Sequence, residues 1–281
     1  MKLYIILISI LLVGCTTTQP QQQQQINCPT CVCNTPTEES AFIYFINVGQ
    51  GDSELIKYND TEMLIDCGPN SAGPTVVDYL KAKGVTRLEF LMITHLQSDH
   101  LGGCDDVLKS INTHTVIMNG ETSDSSSYKE IMDLIDTEEL IIANEGKELP
   151  LGPVSIKIIQ SGNEFEDSNQ NSIVAMFQYG VTKVLFTGDC DKQCEDRLLN
   201  KDITADILKV AHHGTKFATE IDFLERVNPS LAVIPVGENS YGHPTQETLD
   251  RLSQEGVNIF RTDLDKDVGI KIDKNGYVVI E

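Results

Sequence analysis

The chain has 281 residues, of which 40% are hydrophobic, and this is enough apolar surface to bury a sizeable core. Its 42 acidic and 21 basic residues give a formal net charge of −21, which argues against tight non-specific binding of nucleic acid. Trp is absent and aromatic residues make up only 6% of the chain, so the composition indicates neither a base-stacking platform nor an interfacial aromatic belt.

The N-terminal segment has the features of an export signal. Lys2 precedes an apolar run, residues 3–13, that is too short to span a bilayer as a helix. The run ends in the sequence LVGC, which resembles the lipobox of prokaryotic lipoproteins, where the Cys is lipidated and becomes the mature N-terminus. We therefore predict that residues 1–15 are a lipoprotein signal peptide and that Cys15 anchors the protein on the extracellular face of the cell membrane. An ordinary secretory signal with an incidental Cys is the alternative.

Residues 16–40 are predicted to form a flexible linker. The first part contains five consecutive Gln residues and has no apolar periodicity, so it cannot bury enough surface to fold. Cys28, Cys31 and Cys33 follow without a second pair at zinc-ribbon spacing, and outside the membrane this favours a local disulfide or a contact with another chain over a metal site. Without Cys15 the chain keeps seven Cys residues, an odd number that leaves at least one thiol free or intermolecular.

The folded body is predicted to span residues 41–281 and to open with an antiparallel meander, after which strands alternate with helices. In chain order, the predicted strands cover residues 42–48, 54–58, 63–66, 88–93, 115–118, 154–160, 173–179, 183–186, 207–210, 232–236, 259–260, 269–272 and 277–280. The predicted helices cover residues 76–83, 126–136, 191–200, 219–227 and 245–255. Meanders that alternate with strand–helix units indicate an α/β fold of layered sheets flanked by helices.

Candidate metal ligands are concentrated in one loop, residues 94–103, that follows a buried strand. His95, Gln97, Asp99 and His100 lie within six residues of this loop. Imidazole and carboxylate ligands suit zinc, manganese or iron, and a tight loop at a strand end directs several side chains into one cavity. The loop therefore predicts a metal site.

Three later segments also place polar side chains at strand ends or turns. Asp189 ends an apolar strand, where a carboxylate can bridge two metal ions, although capping of the following helix is an alternative. His212 and His213 follow another apolar strand, and His243 lies on a turn before a helix. Each segment alone is a weak signal, but their combination in one chain indicates a metallohydrolase.

In their order, these motifs resemble those of the metallo-β-lactamase superfamily and, within it, the soluble domain of ComEC-type DNA-uptake proteins. The resemblance runs from about residue 42 to residue 281. Its specific marks are the segments 47–52, 94–103, 171–172, 187–189, 208–215 and 241–244. It implies an αβ/βα metallo-β-lactamase sandwich, in which two mixed sheets are flanked by helices and the metals lie at one edge of the sheets.

The first of the two metal positions implied by the resemblance is incomplete in this chain. The loop of the superfamily reads HxHxDH, and DNA-uptake relatives often have HxDxDH, whereas Gln97 occupies the middle position here. An uncharged amide oxygen is a weaker ligand, so the position that uses His95 and Gln97 is weakened. Asn171 lies in the stretch where many relatives supply a further His, and it is a candidate metal or substrate contact.

The second metal position keeps its implied ligands, which are Asp99, His100, the bridging Asp189, and either His212 or His213. The sequence thus predicts one divalent ion, zinc or manganese, and leaves a second ion open.

The resemblance implies hydrolysis at this site. Asp99 is expected to orient the nucleophile or to accept a proton, and His243 to stabilise the charged transition state or protonate the leaving group. Asp52 is expected to support a ligand His through a hydrogen bond.

We predict an extracellular phosphodiesterase that acts on a phosphodiester, with DNA as the substrate associated with this branch. The acidic charge favours a short substrate, and a role in DNA uptake would require a membrane channel that the sequence does not identify. Two alternatives remain. Gln97 is also consistent with a catalytically degenerate binding or regulatory lipoprotein, and the site would also suit a lactam, thioester, phosphocholine ester or other small ester.

Overall fold

The computed structural model describes residues 39–136 and 139–280, which belong to one compact unit. The predicted signal peptide with Cys15, the linker, and Cys28, Cys31 and Cys33 lie outside the described residues. No helix in the described part of the chain is both long and apolar enough to cross a membrane.

The described residues contain fifteen β-strands. These are β1 (Ala41–Phe45), β2 (Glu54–Tyr58), β3 (Thr61–Ile65), β4 (Arg87–Ile93), β5 (Asn112–Met118), β6 (Leu140–Ile142), β7 (Glu148–Leu151), β8 (Val154–Gln160), β9 (Val174–Tyr179), β10 (Thr182–Phe186), β11 (Ile207–Lys209), β12 (Leu231–Ile234), β13 (Asn258–Arg261), β14 (Val268–Asp273) and β15 (Gly276–Val279).

Eight α-helices lie between these strands within the same ranges. They are α1 (Gly73–Ala82), α2 (Ser98–Leu101), α3 (Cys104–Ser110), α4 (Ser126–Leu134), α5 (Lys192–Leu198), α6 (Ile221–Val227), α7 (Gln246–Gln254) and α8 (Thr262–Asp265). Short 3-10 turns cover Asn70–Ala72, Ser168–Asn171 and Ala211–Gly214.

The strands form two mixed sheets. The first has eight strands in the order β15-β14-β1-β2-β3-β4-β5-β6, and the second has seven in the order β13-β12-β11-β10-β9-β8-β7. In each sheet an antiparallel meander joins a parallel part, which runs from β3 to β6 in the first and from β10 to β13 in the second. The carboxyl ends of parallel strands meet at one sheet edge, and the loops that carry the candidate ligands follow such ends.

Three apolar layers hold the unit together. Phe45, Phe177 and Phe186 lie between the two sheets, where the alternating apolar residues of β8 also point. A second cluster packs α1, α3 and α4 on the outer face of the first sheet. A third packs α5, α6 and α7 on the outer face of the second sheet. The predicted αβ/βα sandwich of two mixed sheets flanked by helices is therefore confirmed.

The predicted elements omitted several short ones. The missed elements are α2, α3, α8, β6 and β7. The four residues of α2 contain a single apolar side chain, Leu101, so no helical periodicity is visible in a loop that also carries metal ligands. The predicted helix at residues 76–83 begins three residues earlier, at Gly73, because Pro74 fits the first turn of a helix.

Two disulfides lie next to residues of the candidate site. Cys67 pairs with Cys104 and joins the end of β3 to α3, and Cys190 pairs with Cys194 and joins the end of β10 to α5. All four residues are buried. Of the seven Cys residues other than Cys15, these bonds use four, and the other three lie outside the described residues.

A buried carboxylic acid gives the fold a defined pH dependence. Burial raises the pKa of Glu195 to about 8, although the backbone N–H groups of Glu220 and Thr219 donate to its carboxyl group and favour the charged form. Because the folded chain holds this proton more tightly than the unfolded chain, with its ordinary pKa of 4.5, the stabilising contribution is lost as the pH rises from 4.5 towards 8. The slope from this group approaches about 1.4 kcal/mol per pH unit.

We expect Glu195→Gln to flatten the decrease in unfolding free energy over this interval, as measured by urea denaturation at several pH values. The exposed Glu225→Gln on α6 is the control and should retain the wild-type slope. An unchanged slope in Glu195→Gln would contradict the assignment.

Candidate metal centre

The candidate ligands converge at the sheet edge where the parallel strands end. His95 follows β4, Asp189 follows β10, and His100 lies on α2, directly after the same loop as His95. One ligand atom from each of these three buried residues lies within 4.8 Å of the others, which is close enough to hold a metal ion. The Nε2 atom of His100 is 3.2 Å from Oδ1 of Asp189, and that of His95 is 3.9 Å from Oδ2.

Glycine allows the two loops of the first sheet to meet. The backbone N–H of Asp52 donates to the carbonyl oxygen of Asp99 at 3.1 Å, and the preceding Gly51 has a positive φ of 146°. A Cβ atom at Gly51 would lie 2.4 Å from that same oxygen, so a side chain would force the loops apart. The Gly-rich segment that the sequence marks as a motif therefore positions Asp52 behind the ligand loop.

Hydrogen bonds fix the orientation of the His100 ring. Its Nδ1 atom is 2.7 Å from Oδ2 of Asp66, a carboxylate that can only accept, so Nδ1 carries the proton. Asp66 is itself held by the backbone N–H and the hydroxyl of Thr94. The arrangement directs the Nε2 lone pair of His100 towards Asp189.

His95 is oriented in the same way by hydroxyl groups. Its Nδ1 atom lies 3.1 Å from Oγ1 of Thr94 and 3.4 Å from Oγ of Ser172. Because the Thr94 hydroxyl already donates to Asp66, it accepts from His95, and the Nε2 atom of His95 is left without a hydrogen-bond partner. Ser172 also accepts the backbone N–H of Asp189 at 3.0 Å, so one hydroxyl links two candidate ligands.

The structure distinguishes the two adjacent histidines. Nδ1 of His213 donates to the carbonyl oxygen of Pro235 at 2.9 Å, and its Nε2 lies 3.2 Å from Asp99 and 3.7 Å from Asp189. His212 is 26% exposed, and its Nε2 is 3.8 Å from Asp189. His213 is therefore the better placed ligand beside Asp99, while His212 lines the cavity.

Both histidines have left-handed backbone conformations, with φ of 49° at His212 and 52° at His213. Two consecutive non-glycine residues in this region are strained, and such strain persists where the surrounding structure imposes it, commonly at functional sites. Here the turn directs the His213 ring inward and leaves His212 at the surface of the cavity.

The carboxylates and imidazoles shift each other's pKa values strongly. Burial would lower the pKa of His213, but Asp189 and Asp52 raise it to about 10. His100 is likewise raised well above its usual range, whereas burial and the neighbouring His100 lower the pKa of His95 to about 3. A divalent ion would displace protons from His100 and His213, so its binding must release protons.

A cavity of about 250 Å³ opens beside these ligands. It is lined by Gln50, Gln97, Ser98, Asp99, His212, His213, Tyr241 and His243. Burial and the neighbouring His212 and His213 lower the pKa of His243 to about 4, which favours its neutral form. Gln97 and His243 thus lie at the cavity wall, where a substrate would contact them.

Among the predicted site residues that the structure describes, Asn171 alone belongs to neither the ligand cluster nor the cavity lining. Its Nδ2 donates to Glu121 at 2.6 Å and to the carbonyl oxygen of Phe165 at 2.9 Å. Its Oδ1 accepts the backbone N–H of Phe165. The prediction of a metal or substrate contact is corrected accordingly, because the amide is committed to holding the 163–171 loop.

Sequence reasoning missed several residues that support the ligands. Asp66, Thr94 and Ser172 orient the imidazoles, and Lys209 is buried behind them. In the sequence, Asp66 could be recognised only as a polar residue at the end of an apolar strand, as Asp189 is. Asp52, predicted to support a ligand His, lies 3.2 Å from Nδ1 of His213.

Comparison with known proteins identifies the family. Residues 46–238 match the model of the metallo-β-lactamase superfamily. The chain belongs to this superfamily.

Curated relatives confirm the resemblance to ComEC-type proteins. ComE operon protein 3 of Bacillus subtilis is 30% identical in an alignment of 243 positions that covers 78% of this chain and 31% of that protein. Competence protein ComA of Neisseria gonorrhoeae is 30% identical in an alignment of 236 positions that covers 81% of this chain and 32% of that protein. The chain thus spans about a third of the length of these relatives.

Two solved structures show the same fold at low sequence identity. The metallo-β-lactamase fold protein YhfI of Bacillus subtilis has a TM-score of 0.56 and 13% identity, with 82% of this chain and 99% of that chain covered. CmlA, a diiron β-hydroxylase of Streptomyces venezuelae, has a TM-score of 0.54 and 11% identity, with 84% and 54% covered. At such identities the likeness concerns the fold alone.

The metallo-β-lactamase fold implies a divalent metal, and the residues of this chain fit one. The Nε2 atoms of His95 and His100 and both carboxylate oxygens of Asp189 are buried without hydrogen-bond partners. Unsatisfied polar atoms are costly in a protein interior, and an ion at their meeting point would satisfy all four. Asp99 and His213 complete a donor set of nitrogen and oxygen ligands suited to zinc or manganese.

The different placement of His212 and His213 in this superfamily member leads to a prediction. We expect His213→Gln to weaken metal binding by more than about 100-fold, the upper range for loss of a supporting residue, and His212→Gln by about tenfold or less. Affinity is measured by competition with a chelating indicator. The matched control is His114→Gln, whose side chain is 61% exposed and which should bind as the wild type does. A larger loss in His212→Gln would assign the ligand role to the other ring.

Proposed function

We propose that this protein is a metal-dependent phosphodiesterase that cleaves short or single-stranded DNA outside the cytoplasm. The observation that carries the proposal is the meeting of partnerless ligand atoms from His95, His100 and Asp189 beside a cavity that a substrate can enter. The name of one relative, competence protein ComA, supports DNA as the substrate.

The roles of the chain's own residues follow from their positions. A divalent ion held by the donor set described above, His95, Asp99, His100, Asp189 and His213, would supply Lewis acidity, which acidifies water and polarises a phosphoryl oxygen. Asp99 is partly exposed at the cavity, where it would orient the attacking water and accept its proton. The imidazole of His243, also at the cavity, would hydrogen-bond the leaving oxygen.

The electrostatics of the cavity favour a short substrate. Among the described residues that line it there is no Lys or Arg, and the chain carries a net charge of −21. Long duplex DNA is held mainly through phosphate contacts with basic side chains, which this cavity wall does not supply. Affinity would therefore come from the metal, from neutral hydrogen-bonding groups and from stacking.

Location outside the cytoplasm is supported by the two disulfides, since such bonds persist in oxidising compartments. We include in the proposal that Cys15 carries a lipid anchor and that a separate membrane channel would act beside the protein if it serves DNA uptake. Metabolic labelling with a radioactive fatty acid tests the anchor. Label in the wild type that is absent from Cys15→Ser would support it, and an unlabelled wild type would contradict it.

The activity is tested with purified protein that has been stripped of metal and reloaded with manganese or zinc. The substrates are bis(p-nitrophenyl) phosphate, labelled single-stranded and duplex oligonucleotides, and a chromogenic lactam. We expect metal-dependent hydrolysis of the phosphodiesters, with the single strand preferred and the lactam untouched. Metal binding without turnover of any substrate would favour the degenerate binding protein, and turnover of the lactam alone would favour a different hydrolase.

One exposed aromatic residue leads to a prediction about substrate contact. Tyr241 is 74% exposed, lines the cavity and stacks on His243 with ring centroids 5.7 Å apart. The side chain of Asn239 accepts the backbone N–H groups of residues 241–243, so the turn that carries the exposed ring is held in place. Despite the scarcity of aromatics in the chain, this ring offers a face on which one base can stack.

We expect Tyr241→Ala to raise KM for a single-stranded oligonucleotide by roughly tenfold with little change in kcat, since stacking of one base contributes about 1–3 kcal/mol. Tyr241→Phe should retain the wild-type KM. Phe217→Ala, which removes an exposed ring outside the cavity lining, is the control. Equal KM values for wild type and Tyr241→Ala would contradict a stacking role.

A further inference from the structure

A fully buried lysine lies directly behind the candidate metal ligands. Lys209, the last residue of β11, is 1% exposed, and its Nζ donates to the carbonyl oxygen of Gly188 at 2.8 Å and forms an ion pair with Asp52. Lysine is rarely buried in proteins because an ammonium ion loses its hydration there. A buried ammonium ion behind a metal site therefore requires a specific negatively charged partner.

Asp52 connects the lysine to the histidines. One carboxylate oxygen of Asp52 lies 3.2 Å from Nδ1 of His213, and the other lies 3.7 Å from Nδ1 of His100. The ammonium of Lys209 supplies the counter-charge for the carboxylate of Asp52, which is equally buried. Asp52 thus contacts both rings on the side opposite to the one that faces Asp189.

Asp52, His100 and His213 also form a group whose ligand atoms are close enough to hold a cation. The outer group contains His95, His100 and Asp189. The inner group differs from it because the carboxylate of the inner group, Asp52, is already paired with the ammonium of Lys209. The lysine also contacts the backbone next to the outer group, since its acceptor Gly188 immediately precedes Asp189 and has a positive φ of 50°. A single ammonium therefore contacts the supports of both groups.

We propose that Lys209 is a positioning residue that acts as the permanent cation of the inner group. By holding Asp52 behind both rings, it adds a negative charge on the Nδ1 side, where Asp66 and the carbonyl oxygen of Pro235 already accept the two protons. The charge favours the tautomers that direct the Nε2 lone pairs at the outer site. Its bond to Gly188 fixes the turn that presents Asp189. The divalent ion is then confined to the outer group, because the inner carboxylate is already neutralised.

The test is a double-mutant cycle on metal affinity, with Lys209→Met, Asp52→Asn and the double variant. Affinity for zinc is measured by competition with a chelating indicator, and ligand geometry by the visible spectrum of the cobalt-loaded protein. Because loss of a supporting partner typically weakens metal binding 10- to 100-fold, we expect each single variant to lose about that much and to show an altered cobalt spectrum. The double variant should lose less than the product of the two, because it leaves no unpaired buried charge.

Lys183→Met, on the neighbouring strand β10, removes a surface lysine that pairs with Asp202 and should change neither readout. Wild-type affinity and spectrum in folded Lys209→Met would overturn the proposal, as would additive losses in the double variant. If Lys209→Met does not fold, Asp52→Asn and the double variant decide the question. A double variant that binds zinc less than tenfold more weakly than Asp52→Asn would support the proposal, and a further loss of tenfold or more would overturn it. All these readouts concern metal binding, so the result does not depend on the phosphodiesterase activity.

Discussion

Asp189→Asn is expected to weaken divalent metal binding by roughly 100-fold or more and to abolish metal-dependent turnover. The two carboxylate oxygens of Asp189 face the Nε2 atoms of His95, His100, His212 and His213 at 3.2–3.9 Å, so this residue is the common neighbour of every imidazole in the cluster. The amide of Asn retains the shape of the side chain but carries no charge and offers one oxygen in place of two. Its NH2 group is a hydrogen-bond donor, which cannot bind a metal ion as the replaced carboxylate oxygen does.

The same substitution is expected to destabilise the metal-free protein. In the absence of metal, Asp189 raises the pKa values of His100 and His213, and both charged rings would lose a buried partner. Calorimetric titration with zinc and thermal unfolding with and without metal measure the two effects. The added metal should raise the Tm of the wild type and leave that of Asp189→Asn nearly unchanged.

Asp191→Asn is the matched control for this experiment. Asp191 lies two residues further along, where it accepts the backbone N–H of Gln193 and caps α5, the capping role that the sequence left open for Asp189. Since Asn also caps helices well, we expect the control to lose only a few tenths of a kcal/mol and to bind metal as the wild type does. Wild-type zinc affinity in Asp189→Asn would contradict a ligand role for this residue.

Loss of the Cys67–Cys104 disulfide is expected to cost about 4 kcal/mol of unfolding free energy, against about 2 kcal/mol for Cys190–Cys194, because the first bond closes a much longer loop. The sequence separations are 37 and 4 residues, and a longer loop restricts the unfolded chain more strongly. The first bond also lies next to Asp66, which orients His100, so its loss should weaken metal binding as well.

The measurement is urea denaturation of two double variants, Cys67→Ala/Cys104→Ala and Cys190→Ala/Cys194→Ala, with and without a reductant. Each variant serves as the other's control, since each removes two buried sulfurs near the site. In reductant the wild type loses both bonds, so its unfolding free energy should fall below that of either variant measured without reductant. The unfolding free energy of each variant should fall only by the contribution of its one remaining bond. Equal stability of the two variants in the absence of reductant would contradict the dependence on loop length.

The alternation of polar and apolar residues determined much of the fold, because strand and helix periods can be seen locally. β8, with its alternating burial, and α7, with one apolar face, were both visible in this way. The types of the candidate ligands were visible too, since His and Asp residues at the ends of apolar strands have few local structural roles. Short elements such as α2 and β6 were not visible, because three or four residues are too few to establish a period.

Tertiary structure alone decided how the site is assembled. The sequence could not choose between His212 and His213, because the choice depends on two left-handed backbone conformations and on the distant carbonyl of Pro235. It placed Asn171 near the ligands, whereas contacts with Phe165 and Glu121 direct that amide elsewhere.

Lys209 is the clearest example of a site residue whose role the sequence does not reveal. In the sequence it is an ordinary lysine between apolar residues, and only the packing of the two sheets places its ammonium against Asp52 and Gly188. Strand periodicity and ligand chemistry are local properties that the sequence determines by itself. The direction of a ring, its protonated nitrogen and the partner of a buried charge depend on residues far apart in the chain, and these only the folded structure decides.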